Sequence, residues 1–217
     1  MKKIISLILV CLSVFGCAGA LASCTGNNTP EIYSIASSVS ATRTVTYVEY
    51  TTASGEELNG EYIMDVEGNN SIFTYKYDRY RTTEEALTEG TADRIKHVEG
   101  ALYYKDGKYS VNGEAWDAAN PVAIEIKLNL DEELLNNTYV SKDGRTLTAT
   151  LSPENAAKVL GTDLNAEGDI SIEVLTNGTY LTSVNVFCNT VSGAEVVIRT
   201  SYSYNRIELD FPEIDAE

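Results

Sequence analysis

Glu195-Val196-Val197-Ile198-Arg199-Thr200-Ser201-Tyr202-Ser203-Tyr204 puts Val196, Ile198, Thr200, Tyr202 and Tyr204 on one side of an extended chain. Glu195, Val197, Arg199, Ser201 and Ser203 fall on the other. Successive side chains of a strand point to opposite faces, so this pattern marks a strand with one dry and one wet face. The same period of two runs through Ile124, Ile126, Leu128 and Leu130, separated by Glu125, Lys127 and Asn129, and through Ile170, Ile172 and Val174. It predicts further strands over 43–52, 57–67, 71–81, 94–99, 101–105, 108–112, 146–151 and 179–188.

The punctuation agrees. Asp106-Gly107, Asp143-Gly144 and Asn177-Gly178 join such runs, and each pairs a residue tolerant of positive φ with a glycine, the chemistry of a hairpin turn. Asn112-Gly113 marks a further turn, and Asn59-Gly60, lying inside a strand, predicts a bulge. Hairpins make sequence neighbours antiparallel, which excludes a parallel doubly wound sheet. Helices are few and short. Thr29-Pro30-Glu31 supplies a cap, an N-terminal proline and an acid in the first turn, and Ile32, Ile35, Ala36 and Val39 then form one apolar stripe. Ser152-Pro153-Glu154 repeats that start and Gly161 stops it. A short helical piece is predicted over 131–137, and 83–89 reads as a helical turn or an acidic loop. The fold class is therefore mainly β: an antiparallel sheet with a few short helices.

The beginning of the chain has a different character. Lys2 and Lys3 precede an apolar run from Ile4 to Phe15, followed by small residues to Ser23. This is the pattern of a secretory signal, shorter than the roughly 18–20 apolar residues of a membrane span. Leu21-Ala22-Ser23-Cys24 resembles the bacterial lipobox. The resemblance implies cleavage after Ser23, a diacylglyceryl group on Cys24, and attachment to the cell membrane on its extracytoplasmic face. Residues 1–23 are thus read as signal, 24–28 as a polar tether and 29–217 as one β domain. Two acyl chains hold a protein on a membrane durably where one does so only marginally. Of four cysteines, Cys11 and Cys17 leave with the signal and Cys24 is modified. Cys188 remains, without an internal partner for a disulfide, on a strand face with Val184 and Val186.

With 32 acidic and 16 basic residues the net charge is −16, or −18 once Lys2 and Lys3 are removed. Such a surface repels nucleic acid. The single histidine, His97, has charged neighbours and no second histidine to share a metal. No nucleophile elbow, P-loop or dinucleotide fingerprint occurs. Glu56-Glu57, Glu84-Glu85 and Glu132-Glu133 are adjacent pairs; on a strand, neighbours point to opposite faces, unlike the facing carboxylates of a glycosidase. They read as solvated surface. Trp116, between Glu114 and Asp117, reads as a ring packed over the sheet. Asp163-Leu164-Asn165-Ala166-Glu167-Gly168-Asp169 copies the early spacing of a calcium loop, but its twelfth position is Val174 and a strand follows. It reads as a polar helix-to-strand loop. The sequence calls for no enzyme, no metal and no cofactor.

The order of elements, with the closing run 196–205, resembles the LolA-like family of envelope lipoproteins and lipoprotein carriers. That resemblance implies a curved antiparallel half-barrel whose concave side is partly covered by helices, leaving an apolar cavity for acyl chains. On this reading Ile124, Ile126, Leu128, Val184, Val186, Val196 and Ile198 face the concavity and are the candidate ligand-lining residues. Fourteen tyrosines against four phenylalanines suit a half-wet rim, an apolar ring with a polar tip, or an adhesive surface. The expected function is a non-enzymatic lipoprotein that binds or carries a lipid or other hydrophobic ligand. The alternative is a cell-envelope interaction or sensor module of the same fold, with a solid core and a protein or peptidoglycan partner.

Overall fold

Where side chains alternate, the chain is strand. The structure is a computed structural model and describes residues 31–37, 39–115, 128, 130–161 and 163–213. The described residues form ten strands: β1 (Arg43–Thr51), β2 (Glu57–Glu67), β3 (Asn70–Tyr80), β4 (Ile95–Lys105), β5 (Lys108–Val111), β6 (Asn136–Val140), β7 (Thr146–Leu151), β8 (Ile170–Thr176), β9 (Leu181–Asn189) and β10 (Glu195–Ser203). They form one open antiparallel sheet in the order β5-β4-β3-β2-β1-β10-β9-β8-β7-β6. The sheet is two five-stranded meanders joined down the middle, where β1 and β10 run from the pair Arg43–Ser203 to the pair Thr51–Glu195.

The predicted dry faces share one side. Thr44, Thr46 and Val48 of β1 lie on it with Val196, Ile198, Thr200 and Tyr202 of β10, Val184, Val186 and Cys188 of β9, and Ile170, Ile172 and Val174 of β8. All are buried. Two helices, α1 (Glu31–Ser37) and α3 (Pro153–Leu160), close on this curved inner side, with main contacts on β8 and β7 respectively. The stripe of α1 buries Ile32 and Ala36, and α3 buries Ala156, Val159 and Leu160. Ser152 caps α3 by accepting from the Asn155 N–H at 3.3 Å, and Gly161 ends it at φ 70°. The remaining helix, α2 (Thr83–Glu89), bridges β3 and β4.

Several expectations change. Asn59-Gly60 is no bulge: Gly60 pairs regularly with Val48 on one side and Tyr77 on the other. The predicted strands 94–99 and 101–105 are one strand, continuous through Gly100. The helical piece over 131–137 shrinks to a single 3₁₀ turn, Glu132–Leu134, whose cap Asp131 accepts from the Glu133 N–H at 3.1 Å. The chain then enters β6, which the pattern did not predict because β6 is an exposed edge with no dry face. The β2–β3 hairpin turns at Gly68 (φ 60°), a glycine outside the five dipeptides. Cys24, the tether, the cap at 29–30, Trp116, Ile124 and Ile126 lie outside the described residues.

Candidate functional site: the inner face of the sheet

The inner face has two chemistries, and β1 is the boundary between them. From β10 to β7 it is aliphatic. Val184, Val186, Val196 and Ile198, four of the seven candidate lining residues, are 1–4% exposed and belong to the same apolar cluster as Ile32, Ala36 and Val159 of the helices. Leu128 is half-buried against that cluster.

From β1 toward β4 the face is aromatic and hydroxylic. Tyr62 on β2 stands beside Phe73 and Tyr77 on β3, with ring centres 6.4 Å away in each case and planes nearly parallel. Tyr75 sits between Phe73 and Tyr77 at 5.9 and 6.0 Å. Such spacings lie within the range of favourable ring pairs. Two glycines let these rings lie down on the sheet. A Cβ on Gly60 would come 2.7 Å from the Tyr62 ring, and one on Gly100, directly across from Tyr75, would come 2.6 Å from its Cζ. Tyr62 and Phe73 are buried, and Tyr75 and Tyr77 half-buried.

The boundary carries hydroxyls. Thr44, Thr46 and Thr200 are at most 2% exposed. Thr46 and Thr200 face each other across β1 and β10 and share a hydrogen bond of 3.1 Å between their Oγ1 atoms. Thr44 has no such partner, and its Oγ1 is buried without any hydrogen bond. A buried hydroxyl left unpaired costs about 1–3 kcal/mol. Nearby, burial pushes the Tyr202 phenol far above the usual range. Burial also pushes Tyr204 up to about 12, while its hydroxyl donates to the Leu181 carbonyl at 3.0 Å.

The outer face carries a groove of about 600 Å³ bordered by Tyr47, Asn59, Glu61, Lys76, Asp78, His97 and Glu99. Cross-strand register builds it: Tyr47 faces Glu61, Glu61 faces Lys76, Lys76 faces Glu99, and Asp78 faces His97. The hydrogen bond between Tyr47 and Glu61 raises the phenol's pKa. His97 Nδ1 pairs with Asp78 Oδ1, whose second oxygen accepts from the Asn59 N–H at 3.1 Å. His97 is a solvated strand residue, its side chain 83% exposed.

The remaining chemistry is structural. Burial raises the Cys188 thiol to about 11, so it is protonated near neutrality and a poor nucleophile. Among the described residues, no three His, Cys, Asp or Glu side chains gather as a metal site, and no helix is long and apolar enough to cross a membrane. Asp163 accepts from the Asn165 N–H at 2.8 Å and so caps its own loop. Of the carboxylate doublets, Glu132 and Glu133 are exposed, but Glu85 is not free surface. It caps α2 reciprocally with Thr82 and pairs with Arg79 and Lys96.

The aromatic wall was only partly visible in the sequence. The excess of tyrosines stands out, but which of them gather does not, and the threonines are missed because Thr reads as polar in any binary pattern. Pairing the predicted strands β1, β2 and β3 in register was the signal that would have gathered them.

No protein-family model matches the chain, and no curated protein matches it. Among solved structures it is similar to a hypothetical protein of Chlamydia trachomatis, at 10% identity over 78% of this chain and 92% of that one, with a TM-score of 0.28. A protein of Nitrosomonas europaea provisionally assigned as AttH is 9% identical over 77% of this chain and 53% of that one, with a TM-score of 0.22. Likenesses this distant carry no argument about function.

Proposed function

We propose that this protein is a non-enzymatic lipoprotein, anchored to the cell membrane on its extracytoplasmic face, that binds a lipid or another apolar ligand against the inner face of its sheet. The observation that carries this reading is the division of that face. Its aliphatic half meets α1 and α3, whose main contacts are with β8 and β7. The other half offers the rings of Tyr62, Phe73, Tyr75 and Tyr77 beside the threonines of β1 and β10. Flat rings over glycines make a smooth apolar wall, and each Å² of ring that Tyr75 and Tyr77 still expose contributes about 25 cal/mol when a ligand removes it from water. The lipobox at 21–24 and the resemblance to LolA-like lipoproteins point the same way: an acylated Cys24 a few residues before α1 would hold the sheet close to the membrane. No partner for DNA or RNA is expected from a chain of net charge −16.

The outer groove supports a second reading, an envelope interaction or sensor module that meets a protein or peptidoglycan partner through Tyr47, Glu61, Asp78 and His97. One experiment separates the two. Native mass spectrometry of the chain from Thr25 onward, produced in several hosts and purified without detergent, should find a fraction carrying lipid-sized mass. Ligand-free protein from every host, together with retention on insoluble peptidoglycan, would favour the second reading.

A further inference from the structure

Among the described residues, two buried hydroxyls have no hydrogen-bond partner, on Thr44 and Ser110. Ser110 belongs to the edge strand β5, across from Tyr103, whose ring meets Phe211. Thr44 is on the inner face of a central strand, at the end where β1 begins. Its neighbours across the strands are Met64 on β2 and Tyr202 on β10, and Thr46 stands two residues along on the same side. It therefore occupies the line where the aliphatic half meets the aromatic wall.

We propose that Thr44 selects the ligand by donating its hydroxyl to the carbonyl oxygen of a neutral acyl ester whose chain lies on the wall of Tyr62, Phe73, Tyr75 and Tyr77. The inference rests on the apolar-ligand reading above and specifies its ligand class. A valine has nearly the same shape, suits a strand equally well and leaves nothing unpaired, so packing alone does not account for a hydroxyl at this position. The adjacent threonines answer each other: Thr46 and Thr200 are paired at 3.1 Å, and Thr44 Oγ1 has no hydrogen bond to either. Hydrocarbon has no atom to accept the bond. An ionised carboxylate accepts it but pays a large desolvation cost in so apolar a setting and is disfavoured by a chain of net charge −16. An ester carbonyl accepts without that cost, and its alkyl chain suits the Met64 and Phe73 side chains that face each other across β2 and β3.

The test uses the chain from Thr25 onward, which retains all ten strands and every helix described. The apolar fluorophore N-phenyl-1-naphthylamine reports occupancy, and methyl myristate and tetradecane compete for it. The native chain should release the fluorophore at lower concentrations of the ester than of the hydrocarbon. Thr44→Val should weaken the ester about 5–10-fold, the worth of one hydrogen bond, and leave tetradecane and the fluorophore unchanged. Thr44→Ser should restore the ester. Without ligand, Thr44→Val should resist urea at least as well as the native chain, since it removes an unpaired hydroxyl. If the native chain binds neither fluorophore nor competitor, the apolar-ligand reading falls and this inference with it. If both competitors act alike on the native chain and on Thr44→Val, this inference alone is overturned. A Thr44→Val chain that unfolds at lower urea also overturns it, because the hydroxyl then has a partner in the free protein.

Discussion

Gly60 and Gly100 carry much of the site's architecture without contributing a side chain to it. A glycine inside a strand ordinarily weakens it by adding backbone entropy to the unfolded chain. Here each gives up that stability to let a tyrosine ring lie on the sheet: Tyr62 over Gly60 and Tyr75 beside Gly100. Tyr62 has little room to withdraw, being 4% exposed and stacked on both Phe73 and Tyr77. Gly60→Ala should therefore destabilise the protein by about 1–3 kcal/mol, as overpacking does, despite alanine's better backbone entropy. Urea unfolding measures it, and adding Tyr62→Ala should make the Gly60→Ala step nearly neutral. An unchanged midpoint for Gly60→Ala alone would mean that the ring does not press on that position. Asn59-Gly60 has the signature of a bulge in sequence because glycine in a strand has two uses, and only the register, Gly60 opposite Val48 and Tyr77, separates them.

Elements were legible in proportion to how different their two faces are. β8 alternates dry and wet, β10 does so apart from a buried Val197, and their predicted spans agree with the structure to within a residue or two. β6 offers Asn136-Asn137-Thr138-Tyr139-Val140, with no buried side to pattern, and its ladder to β7 shifts register beside Asn137 at φ 49°. The helix α2 lies at the opposite limit, since nothing in it is buried and Leu87 is 79% exposed. Charge and capping hold it instead. Glu85 bonds Arg79 and Lys96, Glu89 pairs with Arg81 and with Lys96 at 2.8 Å, and Gly90 closes the helix. The Arg79 hydrogen bond, the Thr82 backbone N–H and Lys96, in that order, hold the Glu85 carboxyl well below the usual carboxylate range. A folded pKa below the unfolded one means stabilisation that is complete above the unfolded value, near 4.3, and shrinks as the pH falls beneath it. Amide protection over 83–91, corrected for intrinsic exchange, should hold from pH 7 to 5 and fall by pH 3.5. Glu85→Gln should show reduced protection already at pH 7. Protection independent of pH would assign the helix's attachment to something other than these charges.

At the scale of the whole molecule, the pairing of β1 with β10 makes one sheet of two meanders and places the two kinds of inner surface edge to edge. The alternating pattern gathers Val184, Val186, Val196 and Ile198 on one face, and all four are buried. It could not tell which half of that side the helices would meet, because this depends on where α1 and α3 land and strand periodicity carries no such information. On the proposed reading an apolar ligand lies on the aromatic half. The most direct measurement follows the side-chain NMR signals of the chain from Thr25 onward, labelled at its tyrosine and phenylalanine rings and threonine methyls, during titration with methyl myristate. Saturable shifts are expected at Thr44, Tyr62, Phe73, Tyr75 and Tyr77, with Tyr47, Tyr139 and Phe187 on exposed surfaces unmoved. Shifts confined to those exposed residues, or none at ligand excess, would contradict it.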